Sequence, residues 1–139
     1  MVPPITVASP VEARAGAAMR ILIVDDSSTM RRIIVNTLNK LGYKECHEAG
    51  NGREAVERLA STPVDMIITD WNMPEMSGLD FIKAVRANDQ TKHLPVLMVT
   101  TNASQDDLVE AMRAGVNNYV IKPFTADTIK DKIEAALKS

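Results

Sequence analysis

Short apolar runs alternate with segments of helical periodicity along most of the chain, and this alternation constrains the fold more than any other feature. Each run is rich in β-branched residues, and the segment after it carries apolar residues spaced three and four apart. This order is typical of βαβ units, in which parallel strands pair and helices cover both faces of the sheet. The pattern predicts a doubly wound α/β fold built from five such units.

Five strands are predicted, of which the second has the weakest signal, at residues 21–24, 45–48, 64–69, 96–100 and 118–121. The helical stripes predicted to face the core are Met30, Ile33, Ile34, Leu38 and Leu41; Ala55 and Leu59; Leu79, Ile82 and Val85; Leu108 and Met112; and Ile129, Ile133 and Leu137. A capping residue followed three positions later by a carboxylate predicts helix starts at Asn51, Ser77 and Ser104. Glycines predict helix ends at Gly42 and Gly115.

Composition narrows the class of protein. At 139 residues with 45% hydrophobic content, the chain can bury one core without metal or disulfide staples. A formal net charge of -2 gives no global attraction to nucleic acid, so we expect no direct nucleic-acid binding. No apolar run approaches the ~20 residues that cross a bilayer, and the single cysteine, Cys46, fits a reducing compartment. We therefore expect a cytoplasmic protein without membrane insertion. A monomer is the expected state, although the composition leaves dimerisation open.

The first 18 residues differ from the rest. They are rich in Pro, Ala and Val and show neither helical nor alternating periodicity, and prolines interrupt any run that could act as a signal peptide. Residues 1–18 are predicted to be a disordered leader or an appended extension. Residues 19–139 are predicted to form the single folded domain.

Polar side chains follow four of the predicted strands. Strand one ends at Asp25 and Asp26, strand three at Asp70, strand four at Thr100 and strand five at Lys122. In open doubly wound sheets, ligands bind beyond the carboxyl ends of the strands, so these side chains are expected at one edge. Three carboxylates together repel one another unless a cation lies among them. Oxygen ligands without nearby His or Cys favour Mg²⁺, and a carboxylate beside Mg²⁺ and lysine can act as a nucleophile toward phosphorus.

Each of these residues also has a plainer explanation on its own. One member of the Asp25 and Asp26 pair could cap the following helix, Asp70 could be a turn residue, and Lys122 could be a solvated charge. Their convergence on one edge favours the chemical interpretation.

Four stretches together resemble the receiver domains of two-component response regulators over the chain from about Arg20 onward. They are ILIVDDSSTMRRI (21–33), ITDWNMPEMSGLDFI (68–82), LPVLMVT (94–100) and NNYVIKPFTADTI (117–129). The resemblance implies a flavodoxin-like sheet in the order 2-1-3-4-5. Trp71 and the runs WNMP and LPVLMVT are similar to the chemotaxis branch of the family, CheY. Thr101 and Asn102 depart from that branch at positions that flank the path of an attacking water.

The resemblance also implies roles for individual residues. Asp70 is the expected phosphoacceptor, and Mg²⁺ is expected among Asp25, Asp26, Asp70 and the backbone carbonyl of Asn72. Lys122, Thr100 and Thr101 are expected around the phosphoryl oxygens, with a cis peptide between Lys122 and Pro123. Thr100 and Tyr119 are the expected switch pair. The expected partner face consists of Gln105, Leu108, Met112, Tyr119 and Lys132.

The function implied is a phosphorylation-activated response regulator, which accepts its phosphoryl group from a chemotaxis histidine kinase and signals to a flagellar motor switch protein. Such a protein is a signalling phosphoacceptor that catalyses only its own phosphoryl transfer and dephosphorylation. A phosphorelay intermediate or a regulator of a non-motor partner remains an alternative.

Two other classes fit the sequence poorly. An aspartate-based phosphatase of similar fold requires a DxDxT motif, but here Asn72 replaces the second aspartate and removes the general acid. A flavodoxin-like electron carrier lacks support because no phosphate-binding loop rich in Ser, Thr and Gly follows the first strand.

Overall fold

The computed structural model describes residues 19–73, 75–101 and 104–138. One sheet contains β1 (Arg20–Val24), β2 (Glu45–Ala49), β3 (Met66–Thr69), β4 (Val96–Thr100) and β5 (Asn118–Ile121). All pairs are parallel, in the order β2-β1-β3-β4-β5, which confirms the predicted fold class and strand order. The helices are α1 (Ser28–Lys40), α2 (Gly52–Ser61), α3 (Gly78–Ala87), α4 (Gln105–Ala114) and α5 (Ala126–Lys138). The leader predicted for residues 1–18 and the departure at Asn102 lie outside the described residues.

The alternation of side chains along the strands divides the core into two layers. In β1, Leu22 and Val24 face one layer, which also contains buried residues of α2, α3 and α4. Ile21 and Ile23 face the other layer, formed with α1 and α5. Both faces of β1 are completely buried, which explains why its sequence is a continuous apolar run rather than an alternating one.

Helix ends occur where the sequence predicts them. The side chains of Asn51, Ser77 and Ser104 each accept a hydrogen bond from the backbone amide three residues later, at 2.8–3.2 Å. Gly115 ends α4 with φ of 113°, in the left-handed region that favours glycine. Gly42, with φ of 102°, follows the end of α1.

Strand boundaries differ slightly from the predictions. β1 begins one residue earlier and β2 continues one residue further, whereas β3 begins at Met66 instead of residue 64. Just before β3, the Asp65 amide donates to the Arg20 carbonyl at 2.7 Å, and the Asp65 carboxylate accepts from the Arg20 amide at 2.8 Å. A side chain thus takes the position of a backbone partner at the entrance to this strand.

Two members of the predicted core stripes are in fact exposed. The side chain of Ile33 is 45% exposed and that of Met112 is 46% exposed, so their assignment to the core was wrong. In α1 the buried stripe runs through Ile34 and Leu38. Ile33 lies about 100° around the helix from Ile34, which places it at the solvent boundary of the stripe.

The longest described helices, α1 and α5, each contain 13 residues. Among the described residues, no helix has both the length and the apolar character needed to span a membrane.

The loop after β3 packs tightly under the start of α3. The backbone amide of Gly78 donates to the Trp71 carbonyl at 2.8 Å. A Cβ atom at Gly78 would lie only 2.7 Å from backbone atoms of Asp70 and Trp71. The backbone that carries Asp70 therefore depends on a residue without a side chain at position 78.

We predict that Gly78→Ala lowers the free energy of unfolding by about 1–3 kcal/mol, because the methyl group forces main-chain atoms to move. Denaturation in urea measures the effect. Gly50→Ala is the matched control, since its Cβ would meet only the ends of the Glu54 and Arg31 side chains, at 3.3 and 3.6 Å. Equal losses in the two variants would contradict the proposed steric cause.

Candidate functional site

Three aspartates meet at the carboxyl ends of β1 and β3. These strands are neighbours, with Val24 paired to Thr69, so the residues that follow them emerge side by side. The Asp70 amide donates to the Val24 carbonyl at 2.8 Å and extends this pairing by one residue. Asp25, Asp26 and Asp70 each contribute one carboxylate oxygen to a cluster in which all three oxygens lie within 4.8 Å of one another.

Asp25 is the most firmly held of the three. Its carboxylate accepts hydrogen bonds from the Ser27 amide at 2.9 Å and from the Lys122 ammonium at 3.0 Å. Its own amide donates to the Ala49 carbonyl at 3.1 Å. Only 1% of Asp25 is exposed, whereas Asp26 is exposed at the opening of the site.

The Lys122 ammonium contacts two of the carboxylates. It lies 3.0 Å from Asp25 Oδ2 and 3.7 Å from Asp70 Oδ2. The peptide bond between Lys122 and Pro123 is cis, which agrees with the prediction. One lysine against three carboxylates leaves negative charge in the cluster.

Asp70 is buried, and the Trp71 amide donates to its Oδ1 at 2.7 Å. Burial raises the pKa of the Asp70 carboxyl above its ordinary value, and the charges of Asp25 and Asp26 raise it further. The Lys122 charge and the Trp71 hydrogen bond lower the pKa but do not cancel the increase. The protein thus holds a carboxylate that is more basic than usual next to a fixed ammonium group.

The remaining predicted site residues surround this cluster at different depths. Thr100 is completely buried at the end of β4, and its carbonyl accepts from the Lys122 amide at 2.9 Å. Thr101 and Asn72 are exposed in the loops that follow β4 and β3. Their assigned roles remain predictions.

The residues of the predicted partner face come from α4, β5 and α5. Gln105, Leu108 and Met112 border a surface depression of about 390 Å³ on α4, together with Val109 and Arg113. Tyr119 on β5 is half-buried, and the Lys132 ammonium of α5 lies 5.4 Å from the centroid of its ring. Leu108 and Tyr119 are both partly buried and pack against the same core layer.

The capping alternative for the first aspartate pair was wrong. Ser27 caps α1, since its hydroxyl oxygen accepts from the Met30 amide at 3.1 Å. Asp25 instead directs its carboxylate to Lys122 and to the Ser27 amide.

The sequence analysis did not identify the hydrogen-bond donors that fix Asp25 and Asp70 in place. The backbone amides of Ser27 and Trp71 bind Asp25 and Asp70, and backbone donors give no signal in a sequence. It also missed Arg31, which contacts the backbone of Asp25. Its position six residues after Asp25 in the sequence was a weak clue, because the first turn of a helix that follows a strand returns close to the strand end.

The arrangement fits a hard divalent cation. The cluster offers only oxygen ligands, one carboxylate is exposed and reachable, and the lysine leaves negative charge uncompensated. The residues available are Asp25, Asp26 and Asp70, with the Asn72 carbonyl as a predicted further ligand.

Comparison with known proteins identifies relatives over nearly all of the described chain. The family model for the response regulator receiver domain matches residues 21–134. Chemotaxis protein CheY of Pseudomonas aeruginosa is 57% identical over 116 residues, which cover 84% of this chain and 94% of that protein. Chemotaxis protein CheY1 of Helicobacter pylori is 52% identical over 120 residues, with coverage of 86% and 97%.

Solved structures agree with this relationship. Vibrio cholerae CheY4 superimposes with a TM-score of 0.81 at 38% identity, covering 86% of this chain and 99% of that one. The receiver domain of a Pseudomonas aeruginosa sensor histidine kinase superimposes with a TM-score of 0.80 at 28% identity, covering 88% and 100%. That structure contains a magnesium ion coordinated in its active site cleft.

We predict that Asp70→Asn increases the melting temperature by several degrees at neutral pH without divalent cations, because it removes a buried charge repelled by Asp25 and Asp26. The raised pKa means that ionised Asp70 destabilises the fold above that pKa, and the cost disappears as the pH falls to the ordinary value of 3.8. The advantage of the variant should therefore shrink on acidification, as measured by thermal unfolding between pH 8 and about pH 4.

Asp131→Asn is the matched control, since Asp131 is exposed in the middle of α5. Its melting temperature should stay close to that of the original chain at every pH. A destabilised Asp70→Asn protein at neutral pH would contradict this electrostatic account.

Proposed function

This chain belongs to the response regulator receiver domain family, and we propose that it is a phosphorylation-activated chemotaxis regulator whose phosphoacceptor is Asp70. The observation that carries the proposal is the cluster of three aspartates and one lysine at the carboxyl ends of β1, β3 and β5. The receiver domain spans residues 19–139. Its identity of 50–57% to chemotaxis proteins over most of their length supports the chemotaxis role.

Asp70 is the nucleophile in this proposal. An oxygen of its carboxylate attacks phosphorus of a phosphohistidine in the kinase, the O–P bond forms, the N–P bond breaks, and the imidazole leaves with a proton from solvent. Because the Trp71 amide fixes Oδ1 at 2.7 Å, the carboxylate enters the reaction in one orientation.

Lys122 supplies the fixed positive charge at the site. Its ammonium is already within 3.7 Å of Asp70 Oδ2, so a phosphoryl group on that carboxylate comes within its reach. Thr100, buried at the end of β4, and Thr101, exposed beside it, offer hydroxyl donors to the phosphoryl oxygens. The domain thereby catalyses its own phosphorylation and dephosphorylation and acts as a signalling phosphoacceptor rather than as a metabolic enzyme.

We propose Mg²⁺ as the cofactor, held by Asp25, Asp26, Asp70 and the Asn72 carbonyl. When bound, it neutralises charge that develops on the phosphoryl oxygens. The acidic cluster and the magnesium ion in the related receiver structure support this assignment.

The output side of the proposal uses Thr100 and Tyr119 as a switch pair and the α4, β5 and α5 face as the docking surface. A flagellar motor switch protein is the proposed partner, and a chemotaxis histidine kinase is the proposed phosphodonor in the cytoplasm. The depression bordered by Leu108 and Met112 supports docking because it exposes apolar side chains on an otherwise polar helix.

We predict that acetyl phosphate with Mg²⁺ adds one phosphoryl group to the protein, detected by intact-mass spectrometry and by a change in Trp71 fluorescence. Asp70→Asn should abolish both signals, because the amide cannot attack phosphorus. Asp131→Asn should keep both. Phosphoryl incorporation that persists in Asp70→Asn would overturn the assignment of the phosphoacceptor.

We also predict that Met112→Lys weakens binding of the beryllofluoride-activated protein to purified flagellar motor switch protein by about tenfold, since a charge replaces an apolar contact. Surface plasmon resonance measures the affinity. Val56→Lys on α2 is the control, because Val56 is also exposed, at 37%, but lies on another helix. Equal affinities for the two variants would argue against the α4 surface as the docking site.

A further inference from the structure

Arg31 connects the ends of β1 and β2 beside the acidic cluster. Its Nη1 donates to the Asp25 carbonyl at 2.6 Å, and its Nε donates to Glu48 Oε1 at 2.9 Å. Its side chain is only 19% exposed. The Arg31 guanidinium group thus contacts the backbone at the end of β1 and does not bind a carboxylate of the acidic cluster.

The Asp25 carbonyl belongs to the peptide plane that joins Asp25 to Asp26. The Asp25 amide, on the other side of the same residue, donates to the Ala49 carbonyl at 3.1 Å. Arg31 therefore completes a backbone clamp that fixes the direction in which Asp26 leaves the strand. Hydrogen bonds of this type are charge-assisted and are stronger than neutral ones.

Asp26 depends on this clamp more than its neighbours do. Asp25 and Asp70 each have hydrogen bonds to their carboxylates, from Ser27, Lys122 and Trp71. Within the residues that the structure describes, no hydrogen bond or ion pair holds the Asp26 carboxylate. Its position is thus determined by its backbone and by its side-chain rotamer.

We propose that Arg31 is a positioning residue for divalent-cation binding, which acts by fixing the Asp25–Asp26 peptide and hence the Asp26 carboxylate. The inference rests on the metal site of the proposed function and adds a residue that does not touch the cation. Groups that orient metal ligands from behind commonly change metal affinity by 10–100-fold when they are removed.

The sign of the effect separates positioning from simple electrostatics. Arg31 carries a positive charge near a cation site, so removal of the charge alone strengthens cation binding or leaves it unchanged. Loss of the backbone clamp weakens cation binding instead, because Asp26 no longer points to one place. The two roles therefore predict changes in opposite directions.

The test is a calorimetric titration of the full chain with MgCl₂, with Arg31→Ala as the main variant. We expect Arg31→Ala to raise the dissociation constant about tenfold. Arg31→Lys keeps the charge but loses the planar group that reaches two acceptors at once. Its affinity for Mg²⁺ should therefore lie between those of the original chain and Arg31→Ala. Arg31→Lys also provides the measurement if thermal unfolding shows that Arg31→Ala does not fold.

Arg32→Ala is the matched control. Arg32 is the next residue of α1 and is exposed, and its side chain has no hydrogen bond or ion pair among the described residues. The two alanine variants change the net charge equally, but only Arg31→Ala removes the contacts with the Asp25 carbonyl and the Glu48 carboxylate. Arg32→Ala should bind Mg²⁺ within twofold of the original chain.

Unchanged or tighter Mg²⁺ binding in folded Arg31→Ala and Arg31→Lys proteins would overturn the positioning role and leave the proposed function intact. Absence of Mg²⁺ binding in the original chain would overturn the metal site itself, and this inference with it. A fall in affinity as large in Arg32→Ala as in Arg31→Ala would likewise reject the clamp.

Discussion

The concentration of negative charge at one edge of the sheet is the constraint on which the rest of the site depends. Asp25 and Asp70 are both buried, and one carboxylate oxygen of each lies within 4.8 Å of the other. Two like charges at this distance repel by on the order of 3 kcal/mol at an effective dielectric constant of about 20. Lys122 lies within 4 Å of both and offsets part of this repulsion. Burial, followed by the charges of Asp25 and Asp26, raises the pKa of the Asp70 carboxyl despite Lys122. The negative charge that Lys122 leaves uncompensated makes the site receptive to a cation.

The sheet maintains this unfavourable arrangement because its own stability comes from elsewhere. Both faces of the central strands are buried in two apolar layers, one with α1 and α5 and one with α2, α3 and α4. Asp70 extends the pairing of β1 with β3 by one residue, and Asp25 extends the pairing of β1 with β2, so both backbones are fixed by the sheet. The apolar core thus supplies the free energy that holds like charges together.

Much of this architecture could be predicted from the sequence because its causes are local. Continuous apolar runs mark buried parallel strands, and the capping residues Asn51, Ser77 and Ser104 begin their helices as expected. The acidic cluster was predictable too, since parallel strands deliver their carboxyl ends to one edge. Ile33 and Met112 could not be assigned correctly, because helical spacing gives the direction of a stripe but not its width. The Arg31 contact left only a weak clue in the sequence, since it depends on how close α1 lies to the ends of β1 and β2.

The acidic cluster and the proposed docking surface share β5, because Lys122 follows the end of this strand and Tyr119 lies within it. Thr100 and Lys122 are joined by a backbone hydrogen bond of 2.9 Å at the ends of β4 and β5. Two residues before Thr100 in β4, Met98 pairs with Tyr119 of β5. The Lys132 ammonium of α5 lies 5.4 Å from the centroid of the Tyr119 ring. A displacement of Lys122 or Thr100 toward a phosphoryl group thus acts on strands that also carry Tyr119. The proposed switch therefore runs through hydrogen-bonded and paired residues of two neighbouring strands and needs no long chain of intermediate residues.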